Sequence, residues 1–436
     1  MNARTQESAA GTRLGSNSLR PVILATCLLA LPLRKVDAED KADFKFSYYL
    51  EDHHRTEAFS PALLIETDLT PNTILTIQSV YDVISGATPT GEPMKRNTRE
   101  VTQQVSSGVV PAGQVAQTSY VAVSGASGQT TLVPVTTYVP ASTVSSVPTT
   151  QTTSEEYGDP YLPMTEYEDE RWALNLGLRH RHGEWVFEGG VAYSTESDYH
   201  SLAGSLIVSR DFNERMTTLS LGASLTHDNV RDTPTGSWDE KDSLDGQFQI
   251  SQVIDPNTLL KASYVAGTSW GYLDDQYKMV LLNDSVIDEQ RPDLRNKHIV
   301  YLSLNRYIDP LNGALEASYR FYHDTYGINA HTFGLDWFQN LGPKFMLVPS
   351  VRYYEQSAAD FYATEFTGSP KVYSADYRLS KLGSITYGMK LVWKVSDKFW
   401  ADIAYNRYSQ FGRDEETPRE SYPEANVVTL GFKIWF

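Results

Sequence analysis

From Glu424 to Phe436 the chain reads EANVVTLGFKIWF, with Val428, Leu430, Phe432, Ile434 and Phe436 at every second position. Thr429, Gly431, Lys433 and Trp435 fill the gaps. A period of two puts alternate side chains on opposite faces, which predicts a β-strand with one apolar and one mixed face. The pattern recurs along the chain. In Lys41 to Glu51, Phe44, Phe46, Tyr48 and Leu50 oppose Lys45, Ser47, Tyr49 and Glu51. Arg171 to His180, Ala314 to Asp324 and Ser384 to Val395 repeat it, as do Phe59 to Leu69 and Thr73 to Asp82 around a Thr70-Pro71-Asn72 turn.

Two kinds of connection separate these segments. Short ones fall at His182-Gly183-Glu184, Asn213-Glu214-Arg215, Asp255-Pro256-Asn257, Asp309 to Gly313, Gly342-Pro343-Lys344 and Ser396-Asp397-Lys398. Most carry the Gly, Pro, Asn and Asp chemistry of tight hairpins. Longer polar ones centre on Asp52 to Ala58, Val230 to Glu240, Leu273 to Asp293, Ala359 to Ala375 and Gly412 to Pro423. Strands joined alternately by short turns and long loops are the grammar of an outer-membrane β-barrel. The predicted fold is therefore all-β, a transmembrane antiparallel up-and-down barrel of about sixteen strands over residues 39–436. A soluble sandwich or propeller explains the alternation but not the two classes of turn, and no blade repeat is visible. The alternating final strand also has the form of a barrel assembly signal, with Phe432, Ile434 and Phe436 as the residues read by the assembly machinery.

Composition agrees with a fold whose lipid face is half of each strand and whose interior is polar: 12% of residues are aromatic and 21% are charged. Arg4, Arg13 and Arg20, the apolar run Val22 to Leu33 and Val36-Asp37-Ala38 read as a secretory signal peptide cut after Ala38, consistent with export through the Sec pathway. The sole cysteine, Cys27, lies in this leader. Leu24-Ala25-Thr26-Cys27 only loosely matches a lipoprotein box. The mature chain then offers no thiol for a disulfide, a zinc-thiolate site or a nucleophile. Removing the leader's five Lys/Arg and two acids leaves 32 basic against 52 acidic residues, a net charge of −20. That acidity argues against nucleic acid as a partner.

A low-complexity insertion at about 97–160 interrupts the pattern. Its Val101 to Ser154 portion contains no Asp, Glu, Lys, Arg or His and reads as a flexible or weakly β-structured surface loop.

Face assignment predicts a lumen lined by Lys45, Arg171, Arg179, Lys261, Arg320, Arg352, Lys390 and Lys433, and by Glu66, Glu188, Asp245, Glu316, Asp336 and Asp402. Both signs are present, which suits a polar interior with structural ion pairs rather than a one-sign selectivity ring. Seven of nine histidines (53, 54, 200, 227, 298, 323 and 331) fall toward the loop end, several beside acids. A metal or His/Asp hydrolase site at the rim is the sharp reading. His227, His298, His323 and His331 share the lipid-facing register, which places them in the interfacial belt near lipopolysaccharide instead. No nucleophile elbow or Gly-rich phosphate loop is present, and no cofactor, metal or catalytic residue is predicted.

Tyr81 to Gly91 (YDVISGATPTG) reads as a strand exit followed by turn residues. Asp82, Ser85, Gly86, Ala87, Thr88, Pro89 and Gly91 are thereby candidates for a constriction or a cap. Between an alternating strand and a long loop, this motif resembles the signature of an uncharacterised outer-membrane family, domain of unknown function 3570. The resemblance covers about Lys41 to Phe436, implies an outer-membrane barrel and brings no catalytic residues. It points also to a partner that is either a periplasmic redox protein or a small periplasmic or lipoprotein one. The functional expectation is a passive pore or transport component, not an enzyme. The alternatives are a barrel scaffold holding a periplasmic or surface partner, and a rim hydrolase.

Overall fold

The computed structural model describes residues 40–106, 115–124, 130–139, 148–231 and 236–436. Sixteen strands close into one antiparallel barrel. In chain order they are β1 Lys41–Glu51, β2 Thr56–Thr70, β3 Thr73–Pro89, β4 Met164–His182, β5 Trp185–Thr195, β6 Tyr199–Phe212, β7 Thr217–Arg231 and β8 Trp238–Asp255. There follow β9 Thr258–Gly271, β10 Leu294–Ile308, β11 Gly313–Asp324, β12 Asn329–Leu341, β13 Phe345–Gln356, β14 Leu382–Ser396, β15 Phe399–Gly412 and β16 Glu424–Trp435. Each strand has 11 residues or more, against the roughly 9–11 a tilted strand needs to cross a hydrocarbon layer.

The barrel closes where β1 meets β16, from Lys41 opposite Trp435 to Glu51 opposite Ala425. Phe436 N–H donates to the Asp40 carbonyl at 2.9 Å, so the ladder runs to the last residue. Closure leaves no sheet edge, which is the condition for a β-structure in a medium that cannot hydrogen-bond to it. Phe432 of the terminal strand stacks on Phe399 with ring centroids 6.3 Å apart, and meets Phe46 across the seam at 6.5 Å.

Apolar side chains are distributed inversely to those of a soluble domain. Leu221, Leu225, Val191 and Leu206 are each more than half exposed. Trp172, Leu176 and Leu178 of β4 are exposed at alternate positions, as the sequence alternation requires. Exposed rows of this kind are an apolar surface awaiting a hydrocarbon partner. The larger buried apolar cluster lies at the loop end instead: Tyr326, Ile328, Ala330, Ala359, Phe361 and Leu379. Among the described residues no helix is long and apolar enough to cross a membrane.

Every predicted short turn falls between two barrel strands, at the end opposite the long connections. One boundary differs from the sequence reading. Asp82 to Pro89 is strand rather than turn, paired with β4 from Asp82 opposite Arg171 to Pro89 opposite Met164. Pro89 is tolerated there because pairing with β2 stops at Gly86, which leaves this end of β3 unpaired on one side, as on an edge strand. Only Thr90 and Gly91 leave the ladder.

Met94–Tyr161 is a separate compact unit. Lys95–Ser106 pairs with Pro148–Tyr161, and Val115–Ser124 pairs with Thr130–Val139, both antiparallel. The insertion is thus built of β-ladders, which its density of β-branched Thr and Val favours.

Candidate functional site

Two long connections, residues 272–293 and 357–381, fold onto each other over the loop end of the barrel. Met279–Leu282 and Ser285–Asp288 form a hairpin, and Glu365–Phe366 adds to it as a parallel strand. Next to the hairpin lies an ionic cluster built on two buried carboxylates, Glu289 and Asp376, with Arg378 half exposed at its edge. Arg291 meets Glu289 at 2.7 Å and Asp376 at 2.9 Å. Arg378 Nε donates to Asp376 Oδ2 at 2.8 Å, and its guanidinium also pairs with Asp275. Ser374 Oγ donates to Glu289 Oε2 at 2.5 Å. Burial opposes the charge on Asp376, yet Arg378, Lys278 and Arg291 hold its carboxyl below the usual carboxylate range. Burial pushes the Glu289 carboxyl up. Removing a partner of the buried Arg291, Glu289 and Asp376 leaves a charge uncompensated, at a cost of about 3–5 kcal/mol.

This cap is fastened around the mouth. Lys278, 2% exposed, donates to Thr88 Oγ1 at 2.7 Å and to the Pro89 carbonyl at 2.6 Å. Met279 N–H donates to the Thr90 carbonyl at 2.7 Å. Gly91 has φ +96°, and a Cβ there would lie 2.5 Å from the Met279 carbonyl oxygen. The YDVISGATPTG stretch is therefore the seat of the cap. A second attachment is Asp198, which accepts from Tyr277 Oη at 2.6 Å and from Gln276. On the far side Asp360 N–H donates to the Tyr326 carbonyl at 2.8 Å. Ser380 and Tyr422 hydroxyls are 2.8 Å apart, and Tyr362 and Thr417 hydroxyls 2.5 Å.

Beside the cap is a cavity of about 820 Å³ lined by strand and cap residues. One wall carries Asp169 of β4 with Glu196 and Asp198 of the β5–β6 turn, whose oxygens lie within 4.8 Å of one another. Burial, then the neighbouring Asp169, pushes the Glu196 carboxyl up to about 7. The other wall carries Arg295, Arg320, Tyr322, Tyr326 and Tyr354. Arg295 lies over the Tyr326 ring at 4.4 Å and Arg320 over the Tyr322 ring at 5.9 Å. Arg295 also donates to Asp324 at 2.8 Å.

The sequence-selected charged residues lie on the register opposite the exposed apolar side chains, and many are ion-paired there. Arg179 pairs with Glu188 at 3.3 Å, Lys390 with Asp402 at 3.4 Å, Lys433 with Asp43 at 3.1 Å, and Asp245 with Lys297 at 2.8 Å. Glu66 meets Lys41 at 2.5 Å, and Arg171 Nε donates to Asp82 at 2.7 Å. Glu316 and Asp336 face each other directly in register. Lys45 and Arg352 stand opposite glycines, Gly431 and Gly334, while Lys261 stands between Ser251 and Ser303. These residues are spread along the barrel rather than gathered in one site; of the predicted set, only Arg320 lines the cavity. Lys278, Glu289, Arg291, Asp376 and Arg378 were not singled out from sequence. The signal available was charge concentrated in the two longest connections after the insertion.

The loop-end histidines do not converge. His227 pairs with Asp242 at 2.8 Å. His298 is hydrogen-bonded to Tyr264, His331 to Tyr319 and His323 to Asn329. These partners share the register of the exposed Leu225, Tyr264 and Phe333.

A closed sixteen-strand antiparallel barrel with an apolar outer face and a charged inner register is a bilayer-spanning β-barrel protein. The chain belongs to the family described as Protein of unknown function (DUF3570), whose profile matches residues 21–420. No curated protein matches the sequence. Among solved structures the chain is similar to a bacterial polysaccharide outer membrane secretin, at 10% identity and a TM-score of 0.44, covering 92% of this chain and 100% of that one. It is similar to CdiB from Acinetobacter baumannii, at 8% identity and 0.45, over 92% and 60%. It is similar also to the outer membrane protein OpdK from Pseudomonas aeruginosa, at 8% and 0.39, over 92% and 100%. At these values the likeness carries no functional assignment.

Proposed function

We propose that the protein is a narrow outer-membrane channel for small polar solutes, constricted at its mouth by the cap. The observation that carries this reading is the cavity of about 820 Å³ lined by ionic and phenolic side chains within a sixteen-strand barrel. Barrels of that strand number enclose enough width for an aqueous path unless loops fill it. Here the loops narrow the mouth and leave a polar cavity beside them. The long loops face the exterior and the short turns the periplasm, with a leader of residues 1–38 removed on export. Outward histidine–aromatic pairs meet the lipid and lipopolysaccharide boundary. Phe432, Ile434 and Phe436 serve the assembly machinery, and the paired charges along the inner register line a water-filled lumen. The fit is to a non-enzymatic barrel.

Refolded protein in a planar bilayer tests the reading. Discrete, reproducible current steps are expected, and they grow when residues 275–290 are deleted. Silence from protein shown to be folded and inserted, with and without the cap, overturns it. One observation favours a second reading, a closed scaffold for a periplasmic or surface partner: the cap is tied to β3, to the β5–β6 turn and to the β11–β12 connection. A stable complex recovered from membranes together with zero conductance is the outcome that reading requires.

A further inference from the structure

The Met94–Tyr161 unit holds two ribbons, Lys95–Ser106 with Pro148–Tyr161 and Val115–Ser124 with Thr130–Val139. Among the described residues neither ribbon has a third strand, so every strand keeps one unpaired edge. An open edge presents a row of N–H and C=O groups to any strand that can reach it, and proteins blunt such edges with charges or proline. Three of these strands carry such devices. Lys95–Ser106 and Pro148–Tyr161 bear charges that meet across their ribbon, Arg99 with Glu155 at 3.3 Å and Arg96 with Glu156 at 3.9 Å. Thr130–Val139 has Pro134, opposite Tyr120. Val115–Ser124, reading VAQTSYVAVS, has no charge, no proline and no glycine.

We propose that Val115–Ser124 is a homotypic docking strand, which pairs edge to edge with the same strand of a second copy of this chain. Antiparallel pairing about a twofold axis joins the two Val115–Val139 ribbons into one four-stranded sheet. The contact is isologous, since each copy uses the same surface. A strand edge turned antiparallel is its own hydrogen-bonding complement, so a second copy needs no feature that the first lacks. Val115, Thr118, Tyr120, Val121 and Val123 supply the β-branched and aromatic content that favours such pairing, with no charge to oppose it. Charge distribution favours the same contact. The chain has a formal net charge of −17, so two copies repel over most of their surfaces. Val101 to Ser154 contains no Asp, Glu, Lys, Arg or His, and is where two copies meet at least electrostatic cost. Pairing of this kind does not depend on whether the barrel conducts.

The test is analytical sedimentation of the full chain in detergent, where a concentration-dependent dimer is expected. With the two strands fully overlapped, Val115 faces Ser124 of the second copy and Gln117 faces Ala122. The double variant Gln117→Lys, Ala122→Lys therefore sets like charges opposite each other twice, as does Gln117→Glu, Ala122→Glu. Either variant alone should dimerise about tenfold more weakly than the wild type, and an equimolar mixture of the two should regain the dimer. Recovery in the mixture separates edge pairing from a misfolded insertion, which mixing cannot repair. A wild type that is monomeric at every concentration overturns the proposal. So do variants as dimeric as the wild type, and a mixture that stays monomeric. A dimer that survives deletion of residues 97–160 belongs to the barrel wall and overturns it too.

Discussion

Lys278 offers the sharpest handle on the cap. Its ammonium is buried, donates to Thr88 and Pro89, and is faced by Asp376, Arg378, Asp275 and Glu289. Burial lowers its pKa from 10.5 to about 8. A lysine depressed in the docked cap binds fewer protons there than in the undocked loop. Docking must therefore strengthen as pH rises from about 8 through the free-lysine value. At about 1.4 kcal/mol per unit, the full shift corresponds to roughly 3 kcal/mol of cap stability gained across that window. Glu196 acts in the opposite sense at lower pH: its raised carboxyl holds a proton in the folded site that free Glu has lost, so stability from that group fades as pH climbs toward about 7. The charges that act on Glu196 belong to the barrel strands and the β5–β6 turn, so the cap itself should be loosest below about pH 8. Lys278→Met removes the titrating group together with its hydrogen bonds to Thr88 and Pro89 and its charge beside Asp376, so the variant's cap is expected to be looser than wild type at every pH. The assay is open probability in a planar bilayer from pH 7 to 10. The wild type should spend less time open as pH rises above 8, and the variant should show a flat profile. A variant with the wild-type slope refutes the assignment of that window to Lys278.

Gly91→Ala places a Cβ against the Met279 carbonyl at positive φ, and should loosen the cap by about 1–3 kcal/mol. Faster amide exchange in residues 272–293 with unchanged exchange in β11 and β12 is the expected result. Asp376→Asn strips the carboxylate shared by Arg291 and Arg378, and should cost about 3–5 kcal/mol of cap structure. Limited proteolysis after Lys371 or Lys381 reads it directly. On the outer face, Leu221→Arg should destabilise the membrane-inserted barrel by about 2–4 kcal/mol in a urea titration from lipid vesicles, and Ser220→Arg, on the opposite register, by much less.

The barrel was legible because its signal is local. Trp172, Leu174, Leu176 and Leu178 declare their face by spacing alone, and Gly183 or Pro256-Asn257 declare the turns. Outward placement of His227, His298, His323 and His331 followed from the same parity. What sequence could not reveal is long-range. Asp82 to Pro89 looks like turn chemistry, but its strand partner Met164 to Arg171 lies beyond the 68-residue unit Met94–Tyr161. The cap depends on Leu281 and Leu282 meeting Glu365 and Phe366, a pairing that no periodicity encodes. The cavity inherits that opacity, since cap residues supply part of its lining. Arg320 could be placed on the inner register, but its position over the Tyr322 ring in the cavity wall is a property of the assembled mouth.

The most direct test of the central claim, a water-filled interior within an apolar exterior, uses two adjacent positions of β4. Asn175 and Leu176 are both exposed, on opposite registers. The chain's only cysteine is Cys27, in the predicted leader, so single thiols can be introduced into the mature barrel without background. Protein carrying Asn175→Cys or Leu176→Cys, inserted in lipid vesicles, is treated with a charged, membrane-impermeant maleimide of small size. The account predicts labelling at position 175 and protection at 176, with both reacting after solubilisation in denaturant. Equal labelling of the two in the membrane, or labelling at 176 alone, would contradict it.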